Sequence, residues 1–314
     1  MAGDVVLLFE STSRARFLYP GGMVFMSPIS RILFQVFKMI RLKDRIDFVS
    51  PKRATKRRVP VFSKKRYRTI GFNVFGRLVQ SIIPLQQKSS QHVVFFHGGG
   101  YSIEASSGHF QFIRELMNRA NCTVSFVDYP LAPESTAATT LDMALESYRR
   151  LASLYPEDQF VLMGDSAGGG LALSLAMLIR DRGLRSPRKI ILFSPWLDIG
   201  LLNECIPQYE NRDFVLNAES LRKIGKIYSG DLPETNYLVS PKYGEVSNLG
   251  DIAIFFGSEE IFRPDCVDFC TAHNSGSPEI SACEYEGMQH DWVLLPIPEA
   301  YDALDRALAF ADTH

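Results

Sequence analysis

Two short stretches hold residue types whose spacing could do chemistry. The first is Gly164-Asp165-Ser166-Ala167-Gly168, set between the apolar run that starts at Phe160 and an Ala/Leu-rich segment. A serine flanked by glycines at −2 and +2, between a strand and a helix, reads as a sharp turn that presents its Oγ. The glycines are needed because such a turn leaves no room for Cβ atoms. The helix that starts there aims its N-terminal N–H groups and positive dipole end at the serine. The second stretch is His97-Gly98-Gly99-Gly100, which ends the run Val93 to Phe96. Three glycines carry an entropic cost, and two roles could justify it: cradling a phosphate, or presenting backbone N–H groups to a developing oxyanion. No G-x-x-x-x-G-K-[ST] and no G-x-G-x-x-G accompanies them, so the second role is expected. The donors would be the amides of Gly98 and Gly99, joined by that of Ala167 after the serine.

A serine hydroxyl needs a base. His97 sits in the glycine loop, His92 and His109 precede the serine, His273 falls on an expected helix and His314 is terminal. His290, in "YEGMQHDWVLL", follows the last strand signal behind a glycine and is the expected base. The acid should follow a strand between Ser166 and His290. The run "IAIFF" ends at Phe256, and in the "GSEEIFRPD" that follows both Glu259 and Glu260 qualify by position.

The rest of the chain must position these groups. From residue 69 onward, short apolar runs alternate with helical patterns. Strands are expected at 70–75, 78–83, 93–96, 123–127, 160–163, 189–193 and 252–256. Helices are expected near 107–119, 138–154, 167–183, 217–228, 264–273 and 298–311. Continuous apolar strands separated by helices indicate an α/β fold with a mostly parallel central sheet flanked by helices. One domain over residues 1–314 is expected, with a helical cap built from about 1–45 and about 200–250, where the alternation breaks. Residues 27–43 read as an amphipathic helix with Ser27 as N-cap and Pro28 at N1. Its apolar stripe is Ile29, Ile32, Leu33, Val36, Phe37 and Ile40. It is expected to pack over a pocket of its own chain rather than to lie on a membrane.

Composition bounds the function class. The 314 residues are 46% hydrophobic and 22% charged, as in a soluble globular protein. The net charge of −1 conceals a balance of +14 over residues 1–103 and −15 over the remainder. The basic part is densest in "PKRATKRRVPVFSKKRYR", from Pro51. A solvated face is the expected role, and no nucleic-acid-binding motif accompanies the run. The five cysteines are odd in number and form no metal-type pair, which suits reduced thiols in a cytoplasmic protein. Neither a signal peptide nor a transmembrane run is expected, and no metal or organic cofactor is required by this chemistry.

Taken together, "HGGG", "DYPLAPE" (from Asp128), "GDSAGG", "FSPWLD" (from Phe193), "GSEEIFRPD" and "EGMQHDW" resemble the hormone-sensitive-lipase-like branch of the α/β-hydrolases, a branch with many bacterial short-chain esterases. The motifs run in family order from His97 to Trp292, and none lies within residues 1–90. The resemblance implies an α/β-hydrolase fold, Ser166 as nucleophile and His290 as base. It implies Glu260 as acid, because Glu260-Ile261-Phe262 followed by Asp265 fits the family frame, with Glu in place of the usual Asp. "DYPLAPE" and Asp165 would be architectural. The implied activity is hydrolysis of short acyl esters through an acyl-enzyme, without cofactor. Lipase-like activity, deacetylase or amidase activity on a metabolite, and a non-catalytic binding protein are the alternatives. The expected partner is a small-molecule ester, and a homodimer would suit the resemblance.

Overall fold

The structure is a computed structural model that describes residues 26–51, 62–86, 89–273 and 277–313. Eight strands form one sheet: β1 (Tyr67–Val74), β2 (Arg77–Pro84), β3 (Gln91–Phe96), β4 (Thr123–Val127), β5 (Gln159–Asp165), β6 (Lys189–Phe193), β7 (Asp251–Gly257) and β8 (Ile280–Tyr285). Their order is β1-β2-β4-β3-β5-β6-β7-β8. The first two pairings are antiparallel and the rest parallel. The helices are α1 (Pro28–Met39), α2 (Ser107–Ala120), α3 (Ala137–Leu154), α4 (Ser166–Asp181), α5 (Ala218–Ser229), α6 (Arg263–Ala272) and α7 (Pro298–Asp312).

This is the expected α/β-hydrolase architecture, and the reason lies in the strands. All residues of β3, β4 and β6 are buried, so both sheet faces need a cover. One face packs α3 and α4 through Leu141, Leu151, Leu173 and Ile179. The other packs α2 and α7 through Ile113, Leu116, Leu304 and Phe310. Helix α4 is buried from Ser166 to Ile179, which its run of small and aliphatic residues permits.

Strand β8 was not expected. "ISACEY" mixes small, polar and charged residues, so it lacks the continuous apolar run of the inner strands, yet it pairs with β7 along its length. Residues between β6 and β7 form the expected insertion, which carries α5. The first part of the expected cap, residues 1–25, lies outside the described residues.

Helix α1 begins as expected: Ser27 caps it by accepting from the Ser30 amide, and Pro28 follows. Its orientation differs from the expectation. Ser30 and Phe34 are buried, whereas Ile29, Ile32, Val36 and Met39 are exposed. Glu299 at the start of α7 explains this. Its carboxylate accepts from the Ser27 amide, the Ser27 hydroxyl and the Ser30 hydroxyl. A buried carboxylate needs donors, and those donors turn the serine face of α1 inward. No helix among the described residues is long and apolar enough to cross a membrane.

Candidate active site

The strand β5 to helix α4 turn places Ser166 at φ +51°, a left-handed conformation strained for a residue with a Cβ. Both flanking glycines are sterically required. A Cβ on Gly164 would strike the Gly168 carbonyl, and one on Gly168 would strike the carbonyls of Phe96 and His97. The elbow thus wedges directly against the end of β3, where the glycine loop begins. The Trp196 amide donates to the Ser166 carbonyl at 2.9 Å and ties the far side of the turn.

Ser166, His290 and Glu260 come together. The Ser166 hydroxyl lies 2.9 Å from His290 Nε2, and His290 Nδ1 lies 2.8 Å from Glu260 Oε2. Glu260 is fully buried. Its other oxygen accepts from the Gly257 amide at 2.8 Å. Glu259, the alternative by position, turns the other way and is held at both oxygens by Arg212 at 2.9 and 2.6 Å. That guanidinium pulls its carboxyl below the ordinary range. With Nδ1–H donated to Glu260, the neutral imidazole presents Nε2 as the acceptor for the serine proton.

Asp291 adds a second carboxylate, with Oδ2 3.2 Å from His290 Nε2. Burial disfavours the charged imidazolium of His290, but Asp291 and Glu260 outweigh it and raise its pKa well above the usual histidine value. Burial in turn pushes the Asp291 carboxyl up.

The glycine loop departs from the expectation at one position. The Gly98 amide donates to Asp165 Oδ2 at 2.9 Å, so its N–H is already engaged. A Cβ on Gly98 would also strike that carboxylate. Asp165 is itself held by His109. The Ser106 amide donates to His109 Nδ1 at 2.9 Å, which leaves the proton on Nε2, 3.0 Å from Asp165 Oδ2. The start of α2 therefore anchors Asp165, and Asp165 anchors the loop. Gly99 (φ +111°) and Gly100 (φ +60°) then turn the chain, and the Ser102 and Ile103 amides close the turn on the Gly99 carbonyl. Among the described residues, the amides of Gly99 and Gly100 donate to no other backbone carbonyl. Ala167 follows Ser166 as the first interior residue of α4.

His97 is buried in the loop, donating Nδ1–H to the Gly98 carbonyl at 2.7 Å and stacking on Tyr129 at 4.4 Å. Burial and the neighbouring His109 lower its pKa to about 3, so it stays neutral. Tyr129 also donates to the His97 carbonyl. In the "DYPLAPE" stretch, Asp128 meets Arg77 in a buried ion pair at 2.9 Å.

Asp213 was not singled out in the sequence. It reaches from the insertion and accepts from the Ile261 amide at 3.0 Å and the Val215 and Leu216 amides at 2.8 Å. It pins the loop that carries Glu260. Burial lifts its pKa to about 6. The sequence signal for it is weak: an aspartate in "NRDFVL" resembles any loop charge. Among the described residues, no cluster of three His, Cys, Asp or Glu side chains is arranged to hold a metal ion. All five cysteines are free, and Cys266 and Cys270 are both buried on α6.

A serine elbow on β5, a histidine after the last strand and an acid after β7 are the features of an α/β hydrolase. The comparisons agree. The α/β-hydrolase-fold family matches residues 93–294. An esterase of Acinetobacter venetianus is 29% identical over 234 residues, covering 73% of this chain and 77% of that one. An acetyl-hydrolase of Streptomyces hygroscopicus is 27% identical over 230 residues, covering 72% and 77%. The crystal structure of an esterase from the bacterial hormone-sensitive lipase family superposes with a TM-score of 0.77 at 25% identity, covering 91% of this chain and 98% of that one. The chain belongs to the α/β-hydrolase-fold family, in its hormone-sensitive-lipase-like branch.

Proposed function

We infer that this carboxylic ester hydrolase works by acyl transfer through Ser166 and takes short acyl esters. The observation that carries the reading is the buried relay from Glu260 through His290 to Ser166. His290 Nε2 takes the Ser166 proton as Oγ attacks the ester carbonyl. The developing oxyanion needs N–H donors. The Gly98 amide is spent on Asp165, so the donor set consists of Gly99 and Gly100 with Ala167 at the α4 N-terminus. The tetrahedral adduct collapses as His290 returns the proton to the leaving alkoxide. Water, deprotonated by His290, then attacks the acyl-serine, and the second collapse releases the acid and restores Ser166. Glu260 keeps the imidazole in the required tautomer and stabilises its charged form.

The names of the relatives, an esterase and an acetyl-hydrolase, support a small acyl group. The insertion over about 200–250 would shape its pocket as a cap. Buried free thiols support a reducing, cytoplasmic setting. The test is hydrolysis of p-nitrophenyl esters from acetate to laurate by wild type and Ser166→Ala. Rates that peak at short chains in wild type and fall about 10⁴-fold or more in the variant are expected. Equal rates in the two proteins would overturn the assignment of Ser166.

A further inference from the structure

Three consecutive residues of the insertion grip the chain neighbours of both the acid and the base. Arg212 pairs with Glu259, and Asp213 accepts from the Ile261 amide at 3.0 Å. Glu259 and Ile261 flank Glu260, so the acid is held from both sides. The third contact is at Gln289, which precedes His290 and is 2% exposed. Its Oε1 accepts from the Phe214 amide at 2.7 Å, and its Nε2 donates to the Arg212 carbonyl at 3.1 Å. A backbone N–H only donates and a carbonyl only accepts, so these partners fix which way the Gln289 amide lies.

The contacts differ in weight. The Arg212–Glu259 pair sits at the surface and contributes little. Asp213 and Gln289 are buried, so losing either leaves backbone groups unmet. The tripeptide is also braced from outside. The Lys43 amide donates to the Phe214 carbonyl at 3.2 Å, and Lys43 Nζ donates to the Glu210 carbonyl at 2.7 Å. Phe214 thus turns one backbone group toward the base loop and the other toward the segment after α1.

The relay needs this alignment. Glu260 follows β7 and His290 follows β8, yet Nδ1 must stay 2.8 Å from Glu260 while Nε2 stays 2.9 Å from Ser166. The two loops meet directly where the Glu259 amide donates to the Met288 carbonyl at 3.1 Å. Gln289 carries the anchoring one residue further, up to the base itself.

We propose that Arg212-Asp213-Phe214 sets the acid against the base, with Gln289 as the positioning residue through which it holds His290. The proposal rests on the acyl-transfer reading, in which His290 is the base. Gln289 touches no reacting atom, and its effect passes through the imidazole.

The test compares wild type, Gln289→Met and Ser166→Ala on p-nitrophenyl acetate as a function of pH. Methionine keeps the bulk and flexibility of the side chain and removes both hydrogen bonds. Misalignment of the base should lower kcat about 10²-fold with KM little changed. The imidazole faces the carboxylates of Glu260, Asp291 and Asp213. A ring that drifts from Glu260 loses part of the stabilisation of its charged form, so the acidic limb of the kcat profile should also move to lower pH. A smaller folded fraction would lower the amplitude and leave the limb in place. A folded Gln289→Met with wild-type kcat overturns the proposal, as does a loss confined to KM or a lower kcat with an unmoved limb. Hydrogen exchange of wild type gives a readout that needs no variant: the Phe214 amide should be protected, and exchange at the rate of a free loop amide overturns the proposal. Full turnover by Ser166→Ala would remove the acyl-transfer reading. An inert Ser166→Ala beside an unaffected Gln289→Met would remove only the role of Gln289.

Discussion

Replacement of Asp165 by alanine should separate the scaffolding of the glycine loop from the reacting groups. Asp165 touches no reacting atom; its Oδ2 accepts from the Gly98 amide and from His109 Nε2. Alanine leaves both donors buried without an acceptor. Each orphaned donor costs about 1–3 kcal/mol, more when its acceptor was charged. The variant also removes a buried charge whose Oδ1 has no partner, which offsets part of the loss. The net loss of stability should be about 2–4 kcal/mol. The effect on catalysis is separate. Once Gly98 is released, the amides of Gly99 and Gly100 are no longer fixed. Misplacing one oxyanion donor costs about 2.7–4 kcal/mol, or about 10²–10³ in kcat, with KM little changed. Urea unfolding gives the first quantity and p-nitrophenyl acetate kinetics the second. Asp165→Asn, which keeps one acceptor oxygen, should recover most of the stability. A folded Asp165→Ala with wild-type kcat would refute the coupling of this carboxylate to the oxyanion loop.

Three further outcomes follow from the same geometry. Asp291→Asn removes a carboxylate that stabilises the imidazolium of His290, so the pKa of the base falls and the acidic limb of the kcat/KM profile shifts to lower pH; an unmoved limb would exclude Asp291 as a determinant. Asp213 has its pKa raised from 3.8 to about 6, so it binds more protons folded than unfolded between those values. Wild-type stability should therefore fall relative to Asp213→Asn as pH rises through that window, by on the order of 2–3 kcal/mol, and the difference should be flat above it in urea titrations. Gly168→Ala forces a Cβ into the carbonyls of Phe96 and His97, where backbone cannot yield, and should lose more than about 4 kcal/mol or fail to accumulate as soluble protein; wild-type melting would refute the wedge between β3 and the elbow.

What the sequence disclosed and what it withheld divide along a physical line. The inner strands were legible because full burial on both faces writes an unbroken apolar run, as in β3 and β6. Edge strand β8 has no such requirement, and "ISACEY" carried no comparable signal. Ser166 and His290 stand in local contexts that imply a sharp turn and a late loop. Glu259 and Glu260 are adjacent in one loop, and only Arg212, 47 residues earlier, and the position of His290 distinguish them. The engagement of the Gly98 amide depends on Asp165, 67 residues away. The orientation of α1 depends on Glu299, 269 residues beyond Ser30. Periodicity gave the helix and its cap, but a stripe of apolar residues does not say which face a distant carboxylate will claim.

The central claim, that Ser166 is the nucleophile activated by His290 and Glu260, is tested most directly by covalent trapping. The protein would be treated with a fluorophosphonate ester and the adduct located by peptide mass spectrometry. One adduct per chain on Ser166 is predicted, with none in Ser166→Ala and much slower labelling in His290→Ala and Glu260→Ala. An adduct on any other residue, or undiminished labelling after loss of His290, would contradict it.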